Sequence, residues 1–415
     1  MRVTFVLALS VLALAVFGGA SAFAQEAEPS SVHAHPTAAD TPASSKSSLV
    51  SPADQQAFAA GLKAYDAGDF KEAFRLWAPL AESGNPDAQY NLGVMYQDGQ
   101  GGPQDYAAAV GWFRKAADQG LASAQDNLGT RYKNGQGVPQ DYALAAQWYK
   151  KAVDQGNSVA QYNMGVLYLD GEGFAKDSAE AAVWFRKSAD QGFAKAQYIL
   201  GVMYAEGEGV PQDHATAADW YQKSANQGMA EGQFALALAY DLGDGVPQDE
   251  VAAADWYRKS ADQGLADAQF NLGVLYAKGL GVPQDYVAAA DWYRKAAGQG
   301  YPKAEYNLGM LYYNGQGVHQ DMAIAVTWIR KAAQGGFALA QFNLGASYSS
   351  GQGAPKDYVQ AYKWISLAGL NAADPRIRAA AADAKGRIAA VLTAAQRAEA
   401  ERQIKAWKQP VTDQD

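Results

Sequence analysis

Ala88-Gln89-Tyr90-Asn91-Leu92-Gly93-Val94-Met95-Tyr96 is followed by Gly99-Gln100-Gly101-Gly102-Pro103-Gln104-Asp105, and then by Ala109-Val110-Gly111-Trp112-Phe113-Arg114-Lys115-Ala116. In the first stretch Ala88, Leu92, Met95 and Tyr96 fall at i, i+4, i+7 and i+8, which is one face of a helix. In the last, Ala109, Trp112, Phe113 and Ala116 fall at i, i+3, i+4 and i+7, a second such face. Between them Gly99 suits the left-handed residue that ends a helix, Pro103 prevents continuation, and Asp105 is a good N-cap for the second helix. The passage reads as two helices joined by a loop.

It is also one tooth of a ruler. Trp recurs at 112, 148, 184, 220, 256, 292, 328 and 364, each 36 residues apart. Eight tyrosines, from Tyr96 and Tyr132 to Tyr348, keep the same interval, as do eight aspartates from Asp105 to Asp357. No insertion separates the units. Gly93 follows Leu92, and a glycine recurs at this step in every unit except the fifth, where Ala237 stands. A mid-helix Gly costs about 1 kcal/mol relative to Ala, so its repetition points to a socket where a second helix approaches closely. Periods of this length mean stacked supersecondary units rather than the three domains that the length of 415 residues first suggests.

The pattern Ala-Gln-Tyr-Asn-Leu-Gly-x-x-Tyr, Gly-x-Gly-Val-Pro-Gln-Asp, Ala-x-x-Trp-Tyr-x-Lys-Ala resembles the Sel1-like repeat family, α/α relatives of the tetratricopeptide repeat with a longer loop. The resemblance implies an all-α, right-handed α/α superhelical solenoid. Eight 36-residue repeats occupy 87–371. Residues 51–86, whose loop is four residues shorter, form a degenerate tetratricopeptide-like first repeat, and 372–415 a helical C-terminal cap. In that cap Thr393 and Gln396 form a capping-box pattern, and Ala400, Ile404 and Trp407 share one helix side.

Residues 1–24 read as a secretory leader: Arg2, an apolar run from Val3 to Phe17, and Ala22-Phe23-Ala24 before the cut. Residues 25–50, rich in Ser, Ala, Pro and Thr, read as a disordered linker. The expected location is the periplasm or the exterior, without membrane insertion once the leader is removed. With no Cys the chain has no disulfide, thiolate metal site, Cys nucleophile or lipoprotein anchor. Its net charge of −9 disfavours nucleic acid, which demands clustered Lys and Arg. The expected state is a monomer.

Enzyme signatures are absent: there is no Ser-x-x-Lys, Gly-x-Ser-x-Gly, His-Glu-x-x-His or phosphate-binding glycine loop. No catalytic residue, metal site or cofactor is expected. A ladder of Arg114-Lys115, Lys150-Lys151, Arg186-Lys187, Arg258-Lys259, Arg294-Lys295 and Arg330-Lys331 succeeds the second-helix aromatics. It reads either as a stripe for an anionic polymer or as cations complementing helix C-termini, with Arg114 pairing with Asp118 at i+4.

Residues common to every unit are explained by packing, so recognition is sought where units differ. Counting from the first-helix Ala, positions +2, +6 and +9 form a stripe that, by the tetratricopeptide likeness, lines a concave groove. The candidate partner-binding residues are Tyr90, Tyr162, Tyr198, Phe234, Phe270, Tyr306 and Phe342 at +2, with Lys133, Asp241 and Tyr313 at +9. The +2 rings either anchor a partner or pack between units with only their edges exposed. The resulting expectation is a non-catalytic exported scaffold holding a protein or peptide. The family resemblance adds bacterial envelope processes or host contact. A cell-wall-directed or β-lactam hydrolase and a carbohydrate-binding protein are the alternatives.

Overall fold

The computed structural model describes residues 51–407; the leader and linker read at 1–50 and the end of the cap at 408–415 lie outside the described residues. Twenty helices and no strand occur among the described residues. They divide after Lys223 into two compact bodies.

In the first body α1 (Pro52–Asp66) and α2 (Phe70–Glu82) make the short-looped opening pair. Three full units come next: α3 (Pro86–Asp98) with α4 (Tyr106–Asp118), α5 (Ala122–Asn134) with α6 (Tyr142–Val153), and α7 (Ser158–Asp170) with α8 (Ser178–Asp190). The fourth comprises α9 (Ala194–Glu206) and α10 (His214–Asn226), within which the division falls. The second body holds four more units: α11 (Ala230–Leu242) with α12 (Glu250–Asp262), α13 (Ala266–Lys278) with α14 (Tyr286–Gly298), α15 (Pro302–Asn314) with α16 (Met322–Gln334), and α17 (Ala338–Ser350) with α18 (Tyr358–Asn371). It ends with α19 (Pro375–Ala389) and α20 (Ala394–Ala406).

The second helices start on the Asp that the sequence points to, whereas most first helices start at an apolar residue such as Leu121 or Phe193 with no side-chain cap. Asp105 accepts from the backbone N–H groups of Ala107 and Ala108, and Asp285 repeats this on Val287 and Ala288. Ser51 with Asp54, and Thr393 with Gln396, form reciprocal capping boxes. The first helix ends on a left-handed glycine, Gly135 at φ +67° in the second unit. The loop Gln then donates back to the carbonyl of the +9 residue, Gln140 to Lys133 at 2.9 Å and Gln284 to Ala277 at 2.8 Å. This satisfies one of the carbonyls that a helix C-terminus leaves open.

The mid-helix glycines are sockets. A Cβ on Gly93 would lie 2.6 Å from the Phe113 ring, on Gly165 2.8 Å from Phe185, and on Gly273 2.7 Å from Tyr293. The residue after the Trp fills each socket, a ring in most units and Ile329 or Ile365 in the last two, and Phe113, Tyr149 and Phe185 are fully buried there. Tyr257 is fully buried too, although Ala237 replaces the glycine of its unit. The Trp sits further out than the residue after it, half-buried in most units, while Trp148, Trp220 and Trp364 are buried. Trp112 is half-buried beneath Lys115, whose Nζ stands 3.8 Å from the ring centroid, and Lys151 covers Trp148 likewise at 3.5 Å. A second socket joins consecutive units. Gly137, at φ +74°, rests where a Cβ would meet the backbone nitrogen of Ala107, at the start of α4, at 2.8 Å.

Within each body a buried glutamine relay runs from unit to unit. Gln125 Nε2 donates to the Ala117 carbonyl at 3.1 Å, and Gln155 Nε2 donates to Gln125 Oε1 at 2.8 Å. Gln269, Ala261 and Gln299 repeat the arrangement. The relay breaks where Glu305 replaces the first Gln and Gly335 the second. Glu305 takes the place of a glutamine that donates to a carbonyl eight residues earlier in other units, as Gln269 does to Ala261, and an ionised carboxylate has no proton to donate. Burial pushes this carboxyl up to about 7, against the pull of Lys331. Because the folded state holds the proton more tightly than the unfolded chain, stability falls as pH rises from about 4 to about 7 and is level above that. Glu305→Gln, which restores the amide donor, is expected to raise stability at pH 8 by about 1–3 kcal/mol. The gain should shrink at pH 5, as thermal unfolding at the two pH values will show.

Candidate functional site

Of the +2 rings on the first-helix face, most are closed. Tyr90, Tyr162 and Tyr198 are each 5% exposed and Phe270 is 9% exposed. They lie on the ring in their own unit's glycine socket: Tyr90 on Phe113 at 5.8 Å, Tyr162 on Phe185 at 5.4 Å, Phe270 on Tyr293 at 5.9 Å between centroids. The residue entering the next unit closes over some of them, as Phe193 does over Tyr162 and Tyr301 over Phe270. Of the two readings, packing holds for these four. Phe234, Tyr306 and Phe342, all in the second body, remain half-buried. Phe234 packs on Tyr257, and Tyr306 packs on Phe337 while accepting from Asn343 Nδ2 at 2.8 Å.

The +9 residues diverge. Lys133 forms an ion pair with Glu172 of the next unit at 3.7 Å. Leu169 is wholly buried. Asp241 accepts from the Tyr257 hydroxyl at 3.3 Å, and burial raises its carboxyl above the usual range. Tyr313 is half-buried. No side chain of the candidate set is fully exposed, and the partly open ones gather in the second body apart from Lys133.

There the structure brings Phe270 and Tyr306 together with side chains that the stripe did not include. They line a cavity of about 50 Å³ with Val274, Ala277, Phe337 and Leu339, and Lys278 and Lys303 stand beside it. This volume is far below the roughly 300 Å³ of a small-molecule site. It fits one apolar side chain of a partner, with two cations placed for a neighbouring acid. Lys278, Lys303 and Leu339 escape a three-position stripe because they sit at helix ends.

The basic ladder serves packing. Arg114 donates to the Tyr132 hydroxyl of the next unit, not to Asp118, and Arg186 does the same to Tyr204. Arg258 reaches Tyr276 at 3.0 Å and Arg330 reaches Tyr348 at 3.3 Å. The i+4 pair forms where Lys replaces Arg, Lys150 with Asp154 at 3.2 Å. The second cation of each pair covers its unit's Trp, as Lys115, Lys151, Lys187, Lys259, Lys295 and Lys331 do. Few of these cations are left for an anionic polymer.

The second unit carries Asp126 where the others carry a ring. This carboxylate is buried, accepts from Asn163 Nδ2 at 2.8 Å, and lies near the buried Arg131. Burial pushes it up to about 7, with Asn163 and Arg131 opposing. The folded chain again keeps a proton that the unfolded chain releases, so ionisation destabilises the first body progressively between about pH 4 and 7. Asp126→Asn keeps the acceptor for Asn163 and removes the charge. Its melting temperature should exceed wild type by several degrees at pH 8, on the scale of about 2–4 °C per kcal/mol, and match wild type near pH 4.

Comparison with known proteins agrees with this architecture. The Sel1 repeat family model matches eight consecutive segments, 86–121, 122–157, 158–193, 194–229, 230–265, 266–301, 302–337 and 338–371. The crystal structure of a Sel1 repeat protein from Oxalobacter formigenes is similar at 32% identity, over 75% of this chain and 89% of that one, with a TM-score of 0.55. A protective antigen present in uropathogenic Escherichia coli strains, displaying an SLR fold, is similar at 34% identity over 85% and 84% of the two chains, with a TM-score of 0.49. No curated protein matches. With the family model covering more than half of its length, the chain belongs to the Sel1 repeat family, an all-α solenoid family commonly used as protein-interaction scaffolds.

Proposed function

We propose that the chain is an exported, non-catalytic scaffold that holds a protein or peptide partner along the first-helix face of its second body. One observation carries the reading. The 36-residue pattern commits most side chains of each unit to packing, yet between α13 and α15 an aromatic-lined cavity with two lysines stays open. Aromatic anchors in a small pocket with a polar rim are the usual composition of an interface hot spot. The lysines favour a partner that places an acidic residue beside an apolar one. Export rests on the leader pattern in residues 1–24, and a role in envelope processes or host contact rests on the family likeness. No helix among the described residues is long and apolar enough to cross a membrane.

Replacing Tyr313 with a photo-crosslinking phenylalanine is expected to capture a partner from envelope extract. Adding Lys278→Glu and Lys303→Glu should cut that yield several-fold. The same crosslinker in place of Val251, exposed on the second-helix side, should capture nothing. Equal capture at both positions, or a yield indifferent to the two charge reversals, contradicts the reading.

A further inference from the structure

The cap holds a larger opening than the groove does. Helices α19 and α20 both pack on α18 but scarcely touch each other. The gap between them is a cleft of about 530 Å³, floored by Ile365, Ser366 and Gly369 and walled by Ala381, Ala382 and Ile404. Leu370 stands at its edge 72% exposed. Three cations surround it, Arg378 and Lys385 from α19 and Lys405 from α20, along with one acid, Glu401.

Charge in this segment runs against the rest of the chain. The whole carries −9, whereas residues 375–407 hold seven cations and three acids. Those acids are already taken: Asp383 pairs with Arg387, Glu399 with Arg402, and Glu401 with Arg397. Arg378 donates to the Ala372 carbonyl, and Lys385 lies over the Tyr362 ring. None of the three cleft cations forms an ion pair among the described residues. The floor holds a second unmet demand. Ser366 is 5% exposed, lines the cleft, and its Oγ makes no hydrogen bond. A ligand's carbonyl or carboxylate would supply the missing acceptor and recover the cost of leaving a buried hydroxyl unmatched.

We infer that this cleft is a second binding site, separate from the groove, for a short peptide segment that carries apolar side chains between two acidic ones. The spacing of the cations selects this class over a single-headed amphiphile. Arg378 and Lys385 are seven residues apart, about 10 Å along a helix at 1.5 Å per residue. With Lys405 they set three positive charges around the cleft, more than a single carboxylate neutralises. An extended peptide advances about 3.3 Å per residue and alternates its faces, so acids two or four positions apart share one side and bracket that distance, and the residues between them meet Leu370, Ala382 and Ile404. The Ser366 hydroxyl then donates to the peptide backbone.

Panning a phage-displayed random dodecapeptide library on the purified full chain tests this. The expected result is enrichment of sequences with two acids two or four positions apart and apolar residues between them. A synthetic copy of an enriched peptide, followed by fluorescence anisotropy, should lose about tenfold or more in affinity for the chain carrying Arg378→Glu and Lys385→Glu. Ala382→Phe, which fills the cleft from an exposed position, should weaken it comparably. Both variants alter solvent-facing residues, and circular dichroism will show whether they remain folded. Enriched peptides without the acidic pair, or equal affinity for the double reversal, would overturn the inference. So would peptides that are lost on Tyr313→Ala instead, since those belong to the groove. Sodium dodecanoate that binds in place of any peptide would overturn the peptide class.

Discussion

The rest of the structure depends on the close approach of a second-helix side chain to a first-helix position that is glycine in seven of the eight full units and Ala237 in the fifth. In unit after unit a first-helix glycine forgoes helix propensity so that an aromatic or branched side chain of the second helix can lie against its backbone. That contact sets how closely the two helices approach. The approach in turn fixes where the +2 ring comes to rest and which carbonyls the buried glutamines meet. The unit is a compact pair first and a binding element second.

Joining the pairs uses different chemistry. The loop glycine presses on the start of the preceding second helix, arginine crosses to the next unit's tyrosine hydroxyl, and glutamine bridges two helices through one amide. These are nearest-neighbour terms, so stability within each body is approximately a sum over units and junctions. Such an array tolerates local departures, and the chain has two that stand out. Asp126 replaces a ring and Glu305 interrupts the glutamine relay. Each is a buried acid whose carboxyl is pushed up to about 7 by burial, so its ionisation costs stability as pH rises toward that value. In the second unit and the seventh, the repeat pattern yields to something other than maximal stability.

The fold was legible because it is written eight times. Caps, stops and sockets are local, and a Gly, Asp or Pro has the same physical meaning in each copy. The candidate site was only partly legible. A stripe drawn at 180° from one helix's core face treats the helix as alone. Side chains lean toward the helix N-terminus, and here Tyr90 and Tyr162 lean onto the socket ring of their own unit and under the next. The partner of Arg114 lies 18 residues away in another unit, beyond any i+4 rule. The cleft between α19 and α20 has no periodic signature, because it arises from two helices sharing one support without meeting.

A double-mutant cycle at Gly165 and Phe185 shows whether a missing Cβ is what admits the second helix. A Cβ at Gly165 would stand 2.8 Å from the Phe185 ring. The account predicts that Gly165→Ala destabilises the otherwise wild-type chain. In a Phe185→Ala background, where the ring is gone and alanine's helix propensity is left to act, the same change should stabilise by up to about 1 kcal/mol. An identical effect of Gly165→Ala in both backgrounds, measured by denaturant unfolding, would contradict it.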